Sequence, residues 1–274
     1  MSDQCGDGQT ITCPAGQPGA VFLTVQDDTL HGKAVELAEN LRIPLLTGVE
    51  TAGGSGLRLM LGENGLSLSL LGKKSGPLRV NFAGGKNAFR LAANRTVKQP
   101  LARAVGIGHG LRPSIFDATA GFGGDAFVFA SLGCRVTMAE RAPVVAALLA
   151  DGLSRAAGDE KTAAIVARMR LMPGDAKKIL SALSPPPDCV YLDPMYPPGK
   201  NTAWHKKEMR LLRQVVGDDE DGAELLAVAR AAATKRVVVK RPKGAPWLAD
   251  ARPSHAITMP SSRFDVYLRL SPRF

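Results

Sequence analysis

Apolar and polar residues change rhythm along this chain near residue 99. Before that point short alternating runs dominate. Val21-Phe-Leu-Thr-Val25, Leu57-Arg-Leu-Met-Leu61 and Leu66-Ser-Leu-Ser-Leu70 repeat with the period of a half-buried strand. The last two flank Asn64-Gly65, a pair suited to the left-handed backbone of a tight hairpin. Gly32 to Leu41 has helical spacing, and Arg79-Val-Asn-Phe82 predicts a further strand. Residues 20–98 are therefore expected to form a small N-terminal α+β region. Residues 1–19 are polar and Gly-rich and read as a flexible leader.

From residue 99 to 274 apolar strands alternate with helical segments. Ser114–Asp117, Cys134–Glu140, Ile165–Met172, Asp188–Asp193 and Arg236–Lys240 predict strands. Ala126–Leu132, Pro143–Leu153, Ala176–Leu183 and Ala223–Ala233 predict helices between them. Such alternation implies an α/β, Rossmann-like, mostly parallel sheet with helices on both faces. Ala256–Met259 and Phe264–Leu270, around Pro260-Ser-Ser262, predict an antiparallel C-terminal strand pair that closes one edge.

Charge adds a class of partner. Lys+Arg number 35 against 25 Asp+Glu, a formal net charge of +10. Either the protein is simply basic or it meets a polyanion, since cationic side chains displace counterions from phosphates. Charge does not separate RNA from DNA. No run of about 18 apolar residues appears, so no membrane-spanning helix is expected. The first residues lack the pattern of a signal peptide, and the expected location is cytoplasmic. Cys134 and Cys189 read as small core residues. Cys5 and Cys13 have no second ligand pair, so no metal is expected.

The candidate chemistry gathers after the strands. Asp117-Ala-Thr-Ala-Gly-Phe-Gly-Gly-Asp125 joins a strand to a helix, and Gly121, Gly123 and Gly124 let the backbone approach a ligand closely. Asp125 could contact that ligand or cap the helix. Glu140 ends the second strand, where a carboxylate accepts from both hydroxyls of a ribose. Gly174-Asp175-Ala176 follows the third, where Asp175 could meet an adenine amine or cap a helix. Nicotinamide-binding folds use similar turns.

Asp193-Pro194-Met195-Tyr196-Pro197-Pro198 follows the fourth strand as a rigid loop. An exocyclic base amine is a poor nucleophile because its lone pair is delocalised into the ring. The Asp193 carboxylate and the Pro194 carbonyl can accept the amine hydrogens and restore lone-pair character, and Tyr196 can stack on the base. Catalysis is then positioning for in-line attack on a sulfonium methyl. Lys206, Lys207 and Arg210 after this loop, and Lys240 and Arg241 at the end of the next strand, are candidate RNA contacts. Lys86, Arg90 and Arg95 form a third basic stretch. His109 and His205 are given surface or structural roles, because the amine can release its proton after transfer.

These residues resemble the class I S-adenosylmethionine-dependent methyltransferase superfamily. Asp193-Pro-Met-Tyr196 is similar to the Asp/Asn-Pro-Pro-Tyr motif of its amine methyltransferases, with Met195 in place of the second proline. A denser likeness, from about Val80 to Tyr267, is to the bacterial ribosomal RNA small subunit methyltransferase J family. Asp117-Ala-Thr-Ala-Gly-Phe-Gly, Glu140-Arg141, Tyr191-Leu-Asp-Pro-Met195, Lys206-Lys-Glu-Met-Arg210, Ala233-Thr-Lys-Arg-Val-Val-Val-Lys-Arg-Pro242 and Arg263-Phe-Asp265 carry it. The resemblance implies methylation of N2 of a guanosine in small-subunit (16S) ribosomal RNA, with S-adenosylmethionine as cofactor and the RNA or its subunit as partner. It implies cofactor contacts at Gly124-Asp125, Glu140-Arg141, Asp175-Ala176 and Asp193. The chain departs at Gly124, where the family often has Arg, and at Asp175-Ala176, where it often has a Ser pair. The alternatives are an adenine-N6 methyltransferase on DNA or RNA, a nicotinamide-dependent oxidoreductase and a non-catalytic nucleic-acid-binding module.

Overall fold

A computed structural model of the chain describes residues 20–46, 56–71, 76–84, 97–108, 110–195 and 221–269. The predicted leader, 1–19, lies outside them. The chain divides into two compact units between Leu78 and Arg79.

The first unit holds β1 (Val21–Val25), α1 (His31–Leu41), β2 (Leu45–Leu46), β3 (Leu57–Gly62) and β4 (Gly65–Leu70). Their order is β2-β1-β3-β4, with only β3 and β4 antiparallel. The predicted hairpin is present: Gly62 faces Gly65, whose φ of 83° needs glycine. Leu23, Leu57, Leu59 and Leu68 are buried. Alternation therefore sets this sheet's register. The two-residue β2 was not predicted.

The second unit follows the predicted α/β alternation. In chain order it contains α2 (Pro100–Val105), β5 (Ile115–Asp117), α3 (Gly124–Ser131), β6 (Val136–Glu140), α4 (Pro143–Ala157), α5 (Ala163–Val166), β7 (Met169–Pro173), α6 (Ala176–Ala182), β8 (Cys189–Leu192), α7 (Gly222–Ala232), β9 (Arg236–Pro242), β10 (His255–Thr258) and β11 (Ser262–Leu268). The sheet order is β10-β11-β9-β8-β5-β6-β7. Only the pairings of β11 are antiparallel, so the C-terminal pair closes one edge as expected. Every residue of β5 and β8 is buried, as strands covered on both faces must be. Phe116, Val190, Val237 and Tyr267 pack with Leu180, Leu225 and Leu226 of α6 and α7 on one face. Burying each large side chain contributes roughly 1.5–3 kcal/mol. Cys134 and Cys189 are buried in this unit.

Two predicted elements differ. Ile165–Met172 is not one strand, because its first half completes α5 and only its second half enters β7. The buried Thr162 hydroxyl donates to the Ala156 carbonyl, and the Ile165 and Val166 amides return to the Thr162 carbonyl, which closes a helical turn. An apolar run of that length fits either period, and the local capping decides. Arg79–Phe82 is not a strand either. Leu78 makes a lone bridge to Leu68, whereas Phe82 packs on Phe127 with ring centroids 4.8 Å apart. No described helix is long and apolar enough to cross a membrane.

Val80 sits over Gly152 on α4, and Arg155 of the same helix donates to the Val80 carbonyl at 2.5 Å. A Cβ at Gly152 would lie 2.5 Å from Val80 Cγ1 and 3.1 Å from the Val80 carbonyl oxygen. Helix propensity favours alanine there by about 1 kcal/mol. The clash costs about 1–3 kcal/mol and outweighs it. Gly152→Ala is therefore expected to lower the urea midpoint; a rise would show that the Val80 segment yields freely.

Candidate active site

The carboxyl ends of β5, β6, β7 and β8 meet at one edge of the parallel sheet. Asp117 ends β5, and the chain then turns through Gly121 (φ 53°) and Gly123 (φ 71°) into α3. Gly123 is doubly constrained, since a Cβ would also lie 2.8 Å from Leu149 Cδ1 and 3.2 Å from Phe82 Cζ. Gly123 is the N-cap, so Gly124 and Asp125 lie in the first turn. Glu140 fastens this loop: its Oε2 accepts from the Gly121 amide at 2.9 Å and its Oε1 from the Ala142 amide at 2.8 Å.

Asp117 is buried and accepts from the Thr119 amide at 3.1 Å. Burial pushes its carboxyl up to about 8, assisted by the negative charges of Asp125, Asp193 and Glu140 and opposed by that hydrogen bond. At neutral pH it is mostly a neutral acid that shapes the turn.

Asp125 does not cap its helix. It accepts from the Tyr191 hydroxyl at 2.7 Å and from Lys240 Nζ at 3.0 Å. Lys240 also donates to Asp193 Oδ2 at 2.7 Å. Burial alone would lower the pKa of the Lys240 ammonium, but the carboxylates of Asp193 and Asp125 outweigh it and raise it. Burial and the neighbouring carboxylates hold the Tyr191 hydroxyl well above its usual range. The Asp193 amide donates to the Thr119 hydroxyl at 2.7 Å, which ties the start of the proline loop to the glycine loop. Pro194 and Met195 are buried behind it.

Thr119, Gly121, Glu140, Asp193 and Met195 border a cleft whose walls also include the small Ala118, Ala139, Gly174 and Ala176, the apolar Leu225, and the charged Arg141, Asp175 and Asp221. Asp175 is both wall and helix cap, because its Oδ1 accepts from the Lys177 amide at 2.8 Å. Arg141, from the rim, reaches Asp221 at 3.1 Å. Lys177 reaches the same carboxylate at 2.9 Å, and with Arg141 it holds Asp221 below the usual carboxylate range.

Asp221, Tyr191 and the true place of Lys240 escape sequence reasoning. Asp221 ends an acidic run before α7 and occupies the helix N-cap without a side-chain cap bond. Tyr191 reads as one more apolar strand residue. Lys240 and Arg241 read as phosphate contacts. Lys240 is instead engaged by Asp125 and Asp193. Arg241 is buried and donates to the Pro246 carbonyl. Tyr196, Lys206, Lys207, Arg210, Lys86, Arg90, Arg95, His109, His205, Cys5 and Cys13 lie outside the described residues.

The cleft fits S-adenosylmethionine better than a dinucleotide. Small residues beside the apolar Leu225 and Met195 leave room for a flat adenine, the Glu140 carboxylate offers acceptors suited to a ribose diol, and the carboxylates in the lining outnumber its one cation, which suits a sulfonium and an ammonium. A pyrophosphate would need the N-terminus of α3, where Asp125 already supplies negative charge.

The Asp117 proton also couples to stability. Below about 4 both folded and unfolded chains hold it; between 3.8 and about 8 only the folded chain does. This group's stabilisation is therefore lost as pH rises through that window, by up to about 1.4 kcal/mol per pH unit. Asp117→Asn keeps the acceptor and removes the titration. Urea midpoints of the cofactor-free variant should gain on the parent between pH 5 and 8; a constant difference would place the proton elsewhere.

Comparison with known proteins agrees with this geometry. Residues 45–269 match the family model for a putative SAM-dependent methyltransferase. The chain is similar to the ribosomal RNA small subunit methyltransferase J of Thioalkalivibrio sulfidiphilus, 50% identical and covering 90% of this chain and 97% of that one. It is similar also to that of Desulfotalea psychrophila, at 47% identity over 88% and 93%. A solved SAM-dependent methyltransferase from Neisseria gonorrhoeae superposes with a TM-score of 0.67 at 35% identity, covering 90% of this chain and 95% of its own. With its glycine loop, the carboxylate ending β6 and its reversed final strand, the chain belongs to the ribosomal RNA small subunit methyltransferase J family of S-adenosylmethionine-dependent methyltransferases.

Proposed function

We infer that this enzyme methylates the N2 amine of a guanosine in small-subunit ribosomal RNA. The observation that carries the reading is the Lys240 bridge to Asp193 and Asp125 beside the cleft. Relatives named as methyltransferases of that RNA supply the substrate class. Such a reaction belongs in the cytoplasm, where ribosomal subunits are.

The cofactor supplies a methyl group on a sulfonium, an electrophile that needs no metal. Glu140 is positioned for the ribose, Gly121 to Asp125 for the main-chain contacts, and Arg141, Asp175 and Ala176 for the adenine side of the cleft. Asp193 is the residue set to orient the amine. Its side chain is 40% exposed, so a base can reach it. Lys240 donates to one of its oxygens, Oδ2. An amine hydrogen on Asp193 and another on the Pro194 carbonyl would turn the nitrogen lone pair toward the methyl. Tyr196 would stack on the base. Positioning of this kind can supply several kcal/mol of the barrier. The methylated amine is acidic and loses its proton afterwards.

The test is transfer of labelled methyl to small subunits that lack the modification, followed by nucleoside mass spectrometry. N2-methylguanosine is expected, and N6-methyladenosine would replace the base assignment. Asp193→Ala should lower kcat at saturating cofactor by about 10²-fold or more, as losing an orienting group does. Glu140→Gln should act on the cofactor and weaken its binding by about tenfold in calorimetry, the worth of a charge-assisted bond. Full activity in the first variant, or an unchanged dissociation constant in the second, would remove that residue from its role.

A further inference from the structure

The cations with donors to spare sit at the opposite edge of the large sheet. Strands β5 to β9 start there, and β11 ends there because Leu268 pairs with Arg236. Lys240 lies four residue steps along β9 from Arg236, about 13 Å at a strand's rise. The two edges are thus distinct surfaces.

Two hollows share Arg236 at this amino edge. One, of about 260 Å³, is lined by Arg230, Arg236 and Arg269 with Tyr267. The other, of about 110 Å³, is lined by Arg112, Lys235 and Arg236. Arg112, Arg230, Lys235 and Arg269 are exposed. Asp188 lies in the second hollow and is ion-paired to Lys235 at 2.9 Å.

The four arginines are anchored by neutral groups. Arg236 donates to the Ala104 carbonyl at 3.3 Å, and Arg269 to those of Ala233 at 3.0 Å and Ala231 at 3.3 Å. Arg112 donates to the Gly108 and Leu111 carbonyls, both at 2.8 Å. Arg230 lies over the Tyr267 ring, 5.7 Å from its centroid. Among the described residues no carboxylate pairs with any of the four.

Helix ends explain part of this arrangement. Helices α2 and α7 finish at this edge, and cations suit their C-termini. Capping uses only one or two of a guanidinium's five N–H groups. It also fixes the fork, so the remaining donors are pre-organised and carry a full positive charge. Three such forks, with Arg230 over Tyr267 and Lys235 beside them, line two hollows that share Arg236 and match the sign of a phosphate chain.

We propose that the amino edge of the sheet, through Arg112, Arg230, Lys235, Arg236 and Arg269, is a second RNA-binding surface that grips backbone phosphates away from the methylation cleft. The proposal rests on the ribosomal RNA reading above for the identity of its polyanion. It assigns substrate capture to one edge and chemistry to the other.

The test compares the full-length protein with Arg112→Gln/Arg230→Gln/Arg269→Gln, in which glutamine keeps an N–H for the carbonyls. Binding to small subunits and to protein-free small-subunit RNA is measured against salt, alongside methyl transfer, calorimetric cofactor affinity and the melting curve. The variant is expected to fold, to keep its cofactor affinity and kcat, and to raise KM and both RNA dissociation constants by about tenfold or more at moderate salt. The slope of log affinity against log salt should fall by about 2–3, one counterion release per lost phosphate contact. Unchanged binding and slope would overturn the proposal. Weakened binding to subunits alone, with protein-free RNA unaffected, would also overturn it and point to ribosomal protein. Where the triple variant melts early, Arg230→Gln alone, which caps no helix, carries the test with a slope change near 1. Failure of the wild type to methylate either substrate would instead remove the functional reading, and the binding data would still decide the edge.

Discussion

Four carboxylates, Asp117, Asp125, Glu140 and Asp193, come together where the parallel strands end, and each must be reconciled with burial and with the others. The structure resolves them in different ways. Asp117, the most buried, holds its proton. Glu140 spreads its charge over two backbone amides. Asp125 and Asp193 share the Lys240 ammonium, and Tyr191 adds a neutral donor to Asp125. Remove Lys240 and two partly buried charges lose their common partner, a change that costs far more than a surface ion pair contributes. The active edge therefore depends on a cation delivered by β9, on the far side of β8 from the glycine loop.

That dependence explains why the C-terminal strands are built with care. Phe264 of β11 pairs with Lys240, and its neighbours form a polar brace. Arg263 is bound to the fully buried Asp265 at 2.7 and 3.0 Å and donates to the Lys243 and Ala245 carbonyls at 2.8 Å. Arg241 holds the Pro246 carbonyl from the other side. The turn after β9 is thus clamped by buried guanidiniums, which keeps the end of β9, and with it Lys240, in register.

The backbone plan was legible because it rests on periodicity and glycine chemistry. Asn64-Gly65 gave the hairpin, buried runs such as Cys189–Leu192 gave central strands, and the glycine turn and Glu140 marked the ligand edge. What escaped depends on contacts between residues distant in sequence. Lys240 and Arg241 stand in a basic run, Lys240-Arg-Pro-Lys243, that reads as exposed cations. Only pairing β9 between β8 and β11 shows that one serves the acids and the other a turn. Asp175 was open between cap and ligand contact, and it does cap while lining the cleft. Ile165–Met172 misled because a short apolar run satisfies two periods, and Thr162 settles the matter through a bond no period reveals.

The same topology distributes charge. In an alternating fold the helices return against the strands, so helix N-termini and the acids that suit them gather at the carboxyl edge, while C-termini and the cations that suit them gather at the amino edge. A cleft with an acidic rim suits a cationic cofactor but would repel an RNA backbone. The arginines anchored on carbonyls at the far edge keep donors and charge for such a polyanion. Separating the two polarities would allow one basic protein to hold a sulfonium and a polyanion at once. On this reading, flanking phosphates gripped at the amino edge would let one nucleotide reach the acidic cleft.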